Sequence, residues 1–169
     1  MSVSIIAAAA LLISAFITDI RRMIIPNKLT AFFFAAGLIY HLVASGWGGG
    51  GSALLGAAAG AIPLLLLYAA KGIGAGDVKL FGALGAWVGP SAALYVLMYS
   101  ILYAGAIGLV MLFISRPFTR RVFTGAVSLF VPGMGLSQAG WLSWAKEGKK
   151  FPFMLAVVPG ALSAWWTML

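Results

Sequence analysis

Three carboxylates, Asp19, Asp77 and Glu147, stand in a chain of 169 residues that is 63% hydrophobic and 8% charged. Asp77 closes the run Gly74-Ala75-Gly76-Asp77, between an apolar stretch ending at Ala70 and another beginning at Val78, with Lys71 and Lys79 on either side. The glycines beside it permit positive φ and close approach of a second backbone. Asp19 follows the first apolar stretch directly. Two carboxylates held next to one another share a proton, because ionising the second beside the first is disfavoured; one then takes a proton from water while the other donates one. That pairing hydrolyses a peptide bond without a metal or a covalent intermediate. Simpler readings exist for each acid alone: Asp77 at a helix start is a good cap, and Asp19 is placed to pair with Arg22. Glu147, inside Lys146-Glu147-Gly148-Lys149-Lys150, reads as a solvated loop charge.

The elements that must position these acids are membrane helices. A mean hydropathy of +1.07 lies outside the range of ordinary soluble domains. Spanning a hydrocarbon core of about 30 Å takes about 20 apolar residues, and helices satisfy their backbone groups internally. Six stretches qualify or nearly do, roughly 2–18, 29–45, 52–70, 78–89, 91–115 and 152–169. The sequence therefore predicts an all-α membrane protein, a bundle of six transmembrane helices in a single domain over 1–169. An aspartate at the bilayer core costs about 2.5–3.5 kcal/mol, so one kept at its boundary is a functional candidate. A net charge of +8 is compatible with nucleic-acid binding, but the cations are dispersed between apolar runs and no nucleic-acid partner is expected. Without cysteine there is no disulfide, thiolate metal site or cysteine nucleophile, and no cofactor or metal is expected. The first apolar run starts beside Met1 with no basic stretch before it, which argues against a cleavable signal peptide.

All eleven cations lie in or beside the odd-numbered connections: Arg21, Arg22 and Lys28; Lys71 and Lys79; and Arg116, Arg120, Arg121, Lys146, Lys149 and Lys150. Positive-inside bias puts those loops in the cytoplasm and both termini outside. The stretch 122–144 is long enough for a seventh span, yet it contains Pro132, Gly133, Gly135, Gln138 and Gly140, and crossing would split Arg120-Arg121 from Lys149-Lys150. It is read as an interfacial or re-entrant cytoplasmic segment; the basic stretch 116–150 could dock a substrate or rest on anionic lipid headgroups, and lipid is the favoured partner because like charges would repel a basic leader. Trp47, Trp87, Trp165 and Trp166 fall near the proposed outer face, as an aromatic belt would. Gly56 and Gly60, with Gly82 and Gly85, give the third and fourth spans smooth faces suited to close packing.

This topology brings Asp19, at the inner end of the first span, and Asp77, at the inner start of the fourth, to the same membrane face. From Asp77 to the Gly89-Pro90 break is only about 18 Å of helix. If that break is the outer turn, the Gly74–Asp77 loop dips below the cytoplasmic surface. Helix ends favour an ionised Asp77 and disfavour an ionised Asp19, which assigns the resting proton to Asp19.

At these residues the chain resembles the type IV prepilin peptidases, members of the GxGD aspartyl proteases of membranes. Asp19-Ile20-Arg21-Arg22-Met23-Ile24-Ile25-Pro26-Asn27-Lys28-Leu29-Thr30 is similar to the family's first aspartate segment. Gly74-Ala75-Gly76-Asp77-Val78-Lys79-Leu80 is similar to its second, about 58 residues on, and Pro152-Phe153 is a weaker echo of a third element. The resemblance implies Asp19 and Asp77 as the catalytic pair, with Gly74 and Gly76 shaping the loop that holds Asp77. Pro26 and Asn27 would set the turn after Asp19, and Lys79 is either a motif residue or an orientation signal. It implies a pilin-like precursor as substrate, cut at the cytoplasmic face of a bacterial cell (inner) membrane between a short basic leader and an apolar helix. Larger members carry paired cysteines that bind zinc, and also methylate the new N-terminus; the absence of cysteine likens this chain to the compact, peptidase-only members. A small proton-coupled transporter and a non-catalytic secretion-assembly subunit are the rival readings. Transporters, however, tend to place coupling residues at mid-membrane within inverted repeats, which this sequence lacks.

Overall fold

A computed structural model describes residues 3–70, 72–114 and 153–168 of the chain. They form four helices: α1 (Val3–Arg22), α2 (Asn27–Ala69), α3 (Ala75–Ile114) and α4 (Met154–Met168). The chain divides into two units, residues 1–104 with 152–169, and residues 105–151. The described part of the second unit is the helical end of α3. Lys71, Glu147, Pro152 and the 116–150 segment, with its predicted interfacial placement, lie outside the described residues.

The described residues form four helices where the sequence predicts six spans. Three helices, α1, α2 and α3, are long and apolar enough to cross a membrane, and α4 is a shorter apolar helix. The physical reason is that four of the six stretches run together in pairs, joined through single glycines rather than loops. In α2 the interruption is Gly46 (φ 61, ψ −152), and in α3 it is Gly89 (φ 81, ψ 173). Only glycine adopts such angles without a Cβ penalty. At the first break the chain doubles back, since a Cβ on Gly49 would overlap the carbonyl of His41, eight residues earlier. After the second, Pro90 opens a new helical stretch, where its missing N–H costs nothing.

The two small-residue faces meet. A Cβ on Gly56 would collide with the Gly85 carbonyl, one on Gly85 with the Gly56 carbonyl, and one on Gly60 with the Phe81 carbonyl. The second half of α2 thus packs backbone to backbone against the first half of α3, as small residues allow in membrane helices. Fully buried Leu11, Leu64, Leu80, Phe81, Leu84, Met154 and Val157 fill the centre. The exterior is as apolar as the interior, with Ile24, Val43 and Leu66 all strongly exposed. An apolar surface on this scale is suited to lipid rather than water.

Trp87 departs from the aromatic-belt reading. It is 6% exposed, donates Nε1–H to the Phe33 carbonyl at 2.8 Å and stacks on Tyr40 with ring centroids 5.5 Å apart. Gly37 leaves the space that its indole fills. A tryptophan whose N–H finds a carbonyl is as stable in a helical core as at an interface. Trp47 and Trp166 are exposed.

Candidate active site

Asp77 lies in the first turn of α3. Gly74 precedes that helix, and its carbonyl accepts the Asp77 N–H at 3.2 Å. In return the Gly74 N–H donates to Asp77 Oδ2 at 3.3 Å. This is the reciprocal half of a capping box, with the acid at the third helical position reaching back to the residue that caps. Asp77 is therefore an acid of the helix start, at the third helical position rather than at the cap where the simpler reading put it, and it is half-buried.

The glycines of this loop do not serve the purpose expected of them. Positive φ among the described glycines occurs at Gly46 and Gly89, not at Gly74 or Gly76. The bonds between Gly74 and Asp77 close the turn with ordinary backbone angles. A Cβ on Gly74 would meet Asp77 Oδ2 at 3.4 Å and one on Gly76 would meet the Ile25 Cβ at 3.4 Å, both ordinary contacts, so space does not require glycine at either position; the loop lies against the segment that follows Asp19.

Asp19 is placed by α1. The buried positions of that helix are Ala8, Leu11, Leu12, Ala15 and Asp19, a single stripe at helical spacing. The acid occupies the last place on the inward face, 7% exposed, while Arg21 and Arg22 are exposed. The helix runs four residues beyond Thr18, where the apolar span was expected to stop. It ends at Met23 (φ 50), whose N–H returns to the Asp19 carbonyl at 2.7 Å. Pro26 (φ −63, ψ 130) then caps α2, its carbonyl accepting the Leu29 N–H at 3.1 Å. Its fixed φ suits the change from extended chain to helix.

Two contacts tie the motifs together. Lys79 Nζ donates to Asn27 Oδ1 at 2.9 Å, linking α3 two residues past Asp77 to the first residue of α2. Buried Ile25 packs at Gly76. All seven residues singled out from the sequence, Asp19, Pro26, Asn27, Gly74, Gly76, Asp77 and Lys79, thus belong to one end of the bundle. Below them an apolar groove of ≈ 560 Å³ runs along the bundle, lined by Ala31, Phe34, Ala57, Ala61, Gly82 and Ala83, with Asn27 and Lys79 among its lining residues.

One participant was not legible in the residue types. The Met154 N–H, at the start of α4, donates to Asp19 Oδ2 at 3.2 Å. The neighbouring Pro152-Phe153 pair was noticed in the sequence, but a backbone donor has no side-chain signature. Each acid accepts an N–H at a helix start, Asp77 from Gly74 and Asp19 from Met154.

The sequence profile of the type IV leader peptidase family matches residues 6–113, which include both aspartate segments. This chain belongs to the type IV leader peptidase family. No curated protein and no solved structure matches it. Family membership together with three long apolar helices identifies a membrane-integral peptidase. In this leader peptidase the matched region runs from within α1 through the first turn of α3 and on to Phe113, and stops short of α4.

Proposed function

We propose that the chain is an aspartyl endopeptidase of the cell (inner) membrane that removes the short basic leader from pilin-like precursors at the cytoplasmic face. Asp19 and Asp77 form its catalytic dyad. The observation that carries this reading is Asp19 buried on the inward stripe of α1, at the end of the bundle where Ile25 and Asn27 meet Gly76 and Lys79 on either side of Asp77. A buried acid in an apolar bundle costs free energy, so one kept there is a functional candidate. In the reaction one carboxylate takes a proton from water as its oxygen attacks the scissile carbonyl carbon, and the other protonates the amide nitrogen as the C–N bond breaks. The products are a leader carboxylate and a new α-amine.

The remaining parts of the reading follow from that centre. The breaks at Gly46 and Gly89 support six crossings, with the cations on the cytoplasmic side and both termini outside. The groove beneath Asn27 and Lys79 suits the apolar helix that follows the leader, because its small residues admit a close neighbour. Gly74, Gly76, Pro26, Asn27 and Lys79 hold the two acids in register.

Separate Asp19→Asn and Asp77→Asn substitutions, assayed in liposomes on a pilin-like precursor, test the dyad. Each is expected to lower kcat by about 10³-fold or more, as loss of a group acting as a unit with its partner does. Cleavage retained in either variant would remove the dyad, and ion flux without cleavage would favour a transporter. Normal pilus assembly with both acids replaced would point to a non-catalytic subunit.

A further inference from the structure

We infer that the first turn of α4 is a third component of the catalytic centre, with the Met154 N–H acting as the positioning group for Asp19. The inference deepens the dyad reading and rests on it. Three observations converge. The Met154 N–H donates to Asp19 Oδ2 across 135 residues of chain, in a buried setting. Phe153, one residue earlier, lies against Phe81 with ring centroids 6.4 Å apart. Phe81 stands four residues past Asp77, one helical turn along α3, and is fully buried, as is Met154.

The start of α4 therefore touches both halves of the site at once. It bonds the carboxylate carried by α1 and packs on the turn of α3 that carries Asp77. The backbone of α1 does not by itself fix the orientation of the Asp19 carboxyl, since that group rotates about its own side-chain bonds. A donor on Oδ2 selects one rotamer and leaves Oδ1 as the oxygen that meets water or proton. Preorganisation of this kind raises the rate of the chemical step without strengthening substrate binding.

The local structure offers a selective test. The Phe153 carbonyl accepts the Ala156 N–H at 2.9 Å and the Val157 N–H at 3.2 Å, so Phe153 caps α4 and Met154 is its first helical residue. Proline is well tolerated at that position and removes only the N–H from the backbone. Met154→Pro is compared with Met154→Ala, which loses the same buried side chain but keeps the donor. A backbone ester at Met154, made by incorporating the α-hydroxy analogue of methionine, keeps the side chain and removes the N–H, and so covers the case in which the proline variant does not fold.

The ester, and Met154→Pro relative to Met154→Ala, are expected to lose about 10- to 100-fold in kcat with KM unchanged, the scale of a hydrogen bond to a charged group. Equal kcat for the two substitutions, or an ester variant with wild-type kcat, overturns the positioning role. A rise in KM with kcat unchanged overturns it as well and assigns α4 to substrate binding. Wild-type protein that fails to cleave, or Asp19→Asn that still cleaves, defeats the dyad reading instead, so the two failures are distinguishable.

Discussion

At the scale of single residues, the two aspartate loops are joined to each other by contacts that cross a long stretch of chain. Lys79 and Asn27 are 52 positions apart, and their hydrogen bond is exposed. An exposed bond contributes about 0.5–1.5 kcal/mol. Its value to the site is registration of the two aspartate loops rather than stability. Lys79→Met and Asn27→Ala are therefore each expected to lower kcat by about tenfold while shifting Tm little, and the double variant is expected to cost no more than either alone. A double-mutant cycle on kcat measures this, and strict additivity would show that the two residues act separately. Lys79 was ambiguous in the sequence between a motif residue and an orientation signal. Its bond to Asn27 gives it a local task, and a cation there satisfies both descriptions.

At the scale of elements, the decisive contact is the seam between the second half of α2 and the first half of α3. Gly56 and Gly85 face one another so closely that neither can carry a side chain without displacing backbone. Gly85→Val is expected to destabilise by about 1–3 kcal/mol or to prevent folding, as overpacking does. A thermal melt in detergent reads it, and Gly82→Ala, which meets only ordinary contacts, is the control. On the groove side, Ala31 is exposed and lines the cavity without packing in the core. Ala31→Phe is expected to raise KM for a pilin-like precursor by about five- to tenfold with kcat retained, since it fills space meant for substrate and leaves the acids untouched. Unchanged KM would place the substrate helix elsewhere. Trp87 teaches a related point: its position near an outer turn suggested an interfacial role, yet a carbonyl within reach and a glycine opposite drew it inside.

At the scale of the whole molecule, orientation is the open quantity, and the chain suits a direct measurement because it has no cysteine. Gly48 is exposed and a Cβ there meets nothing within 4 Å. Arg22 is exposed at the opposite end of the first hairpin. In intact cells a membrane-impermeant thiol reagent is expected to label Gly48→Cys and to spare Arg22→Cys until the membrane is opened. The reverse pattern would invert the protein and put the aspartates outside. The six-crossing proposal makes a further demand, that Gly46 and Gly89 lie at the same surface, and labelling of Ser91→Cys, exposed two residues past Gly89, together with Gly48→Cys would meet it.

Much of this was legible in residue order. Apolar runs of membrane length specify helices because lipid leaves the backbone no other partner, and the scarcity of acids singles out Asp19 and Asp77. Helical spacing alone places Asp19 on the stripe of Ala8, Leu11, Leu12 and Ala15. Chain order could not reveal that two pairs of helices join through single glycines, since that depends on a backbone angle and not on composition. Nor could it reveal the bond from Met154, because a backbone N–H carries no residue signature and finds Asp19 only when α4 docks beside α1. The sequence by itself determined which groups are available for chemistry; the tertiary structure decided what each of them touches, because those partners are far apart along the chain and meet only through packing.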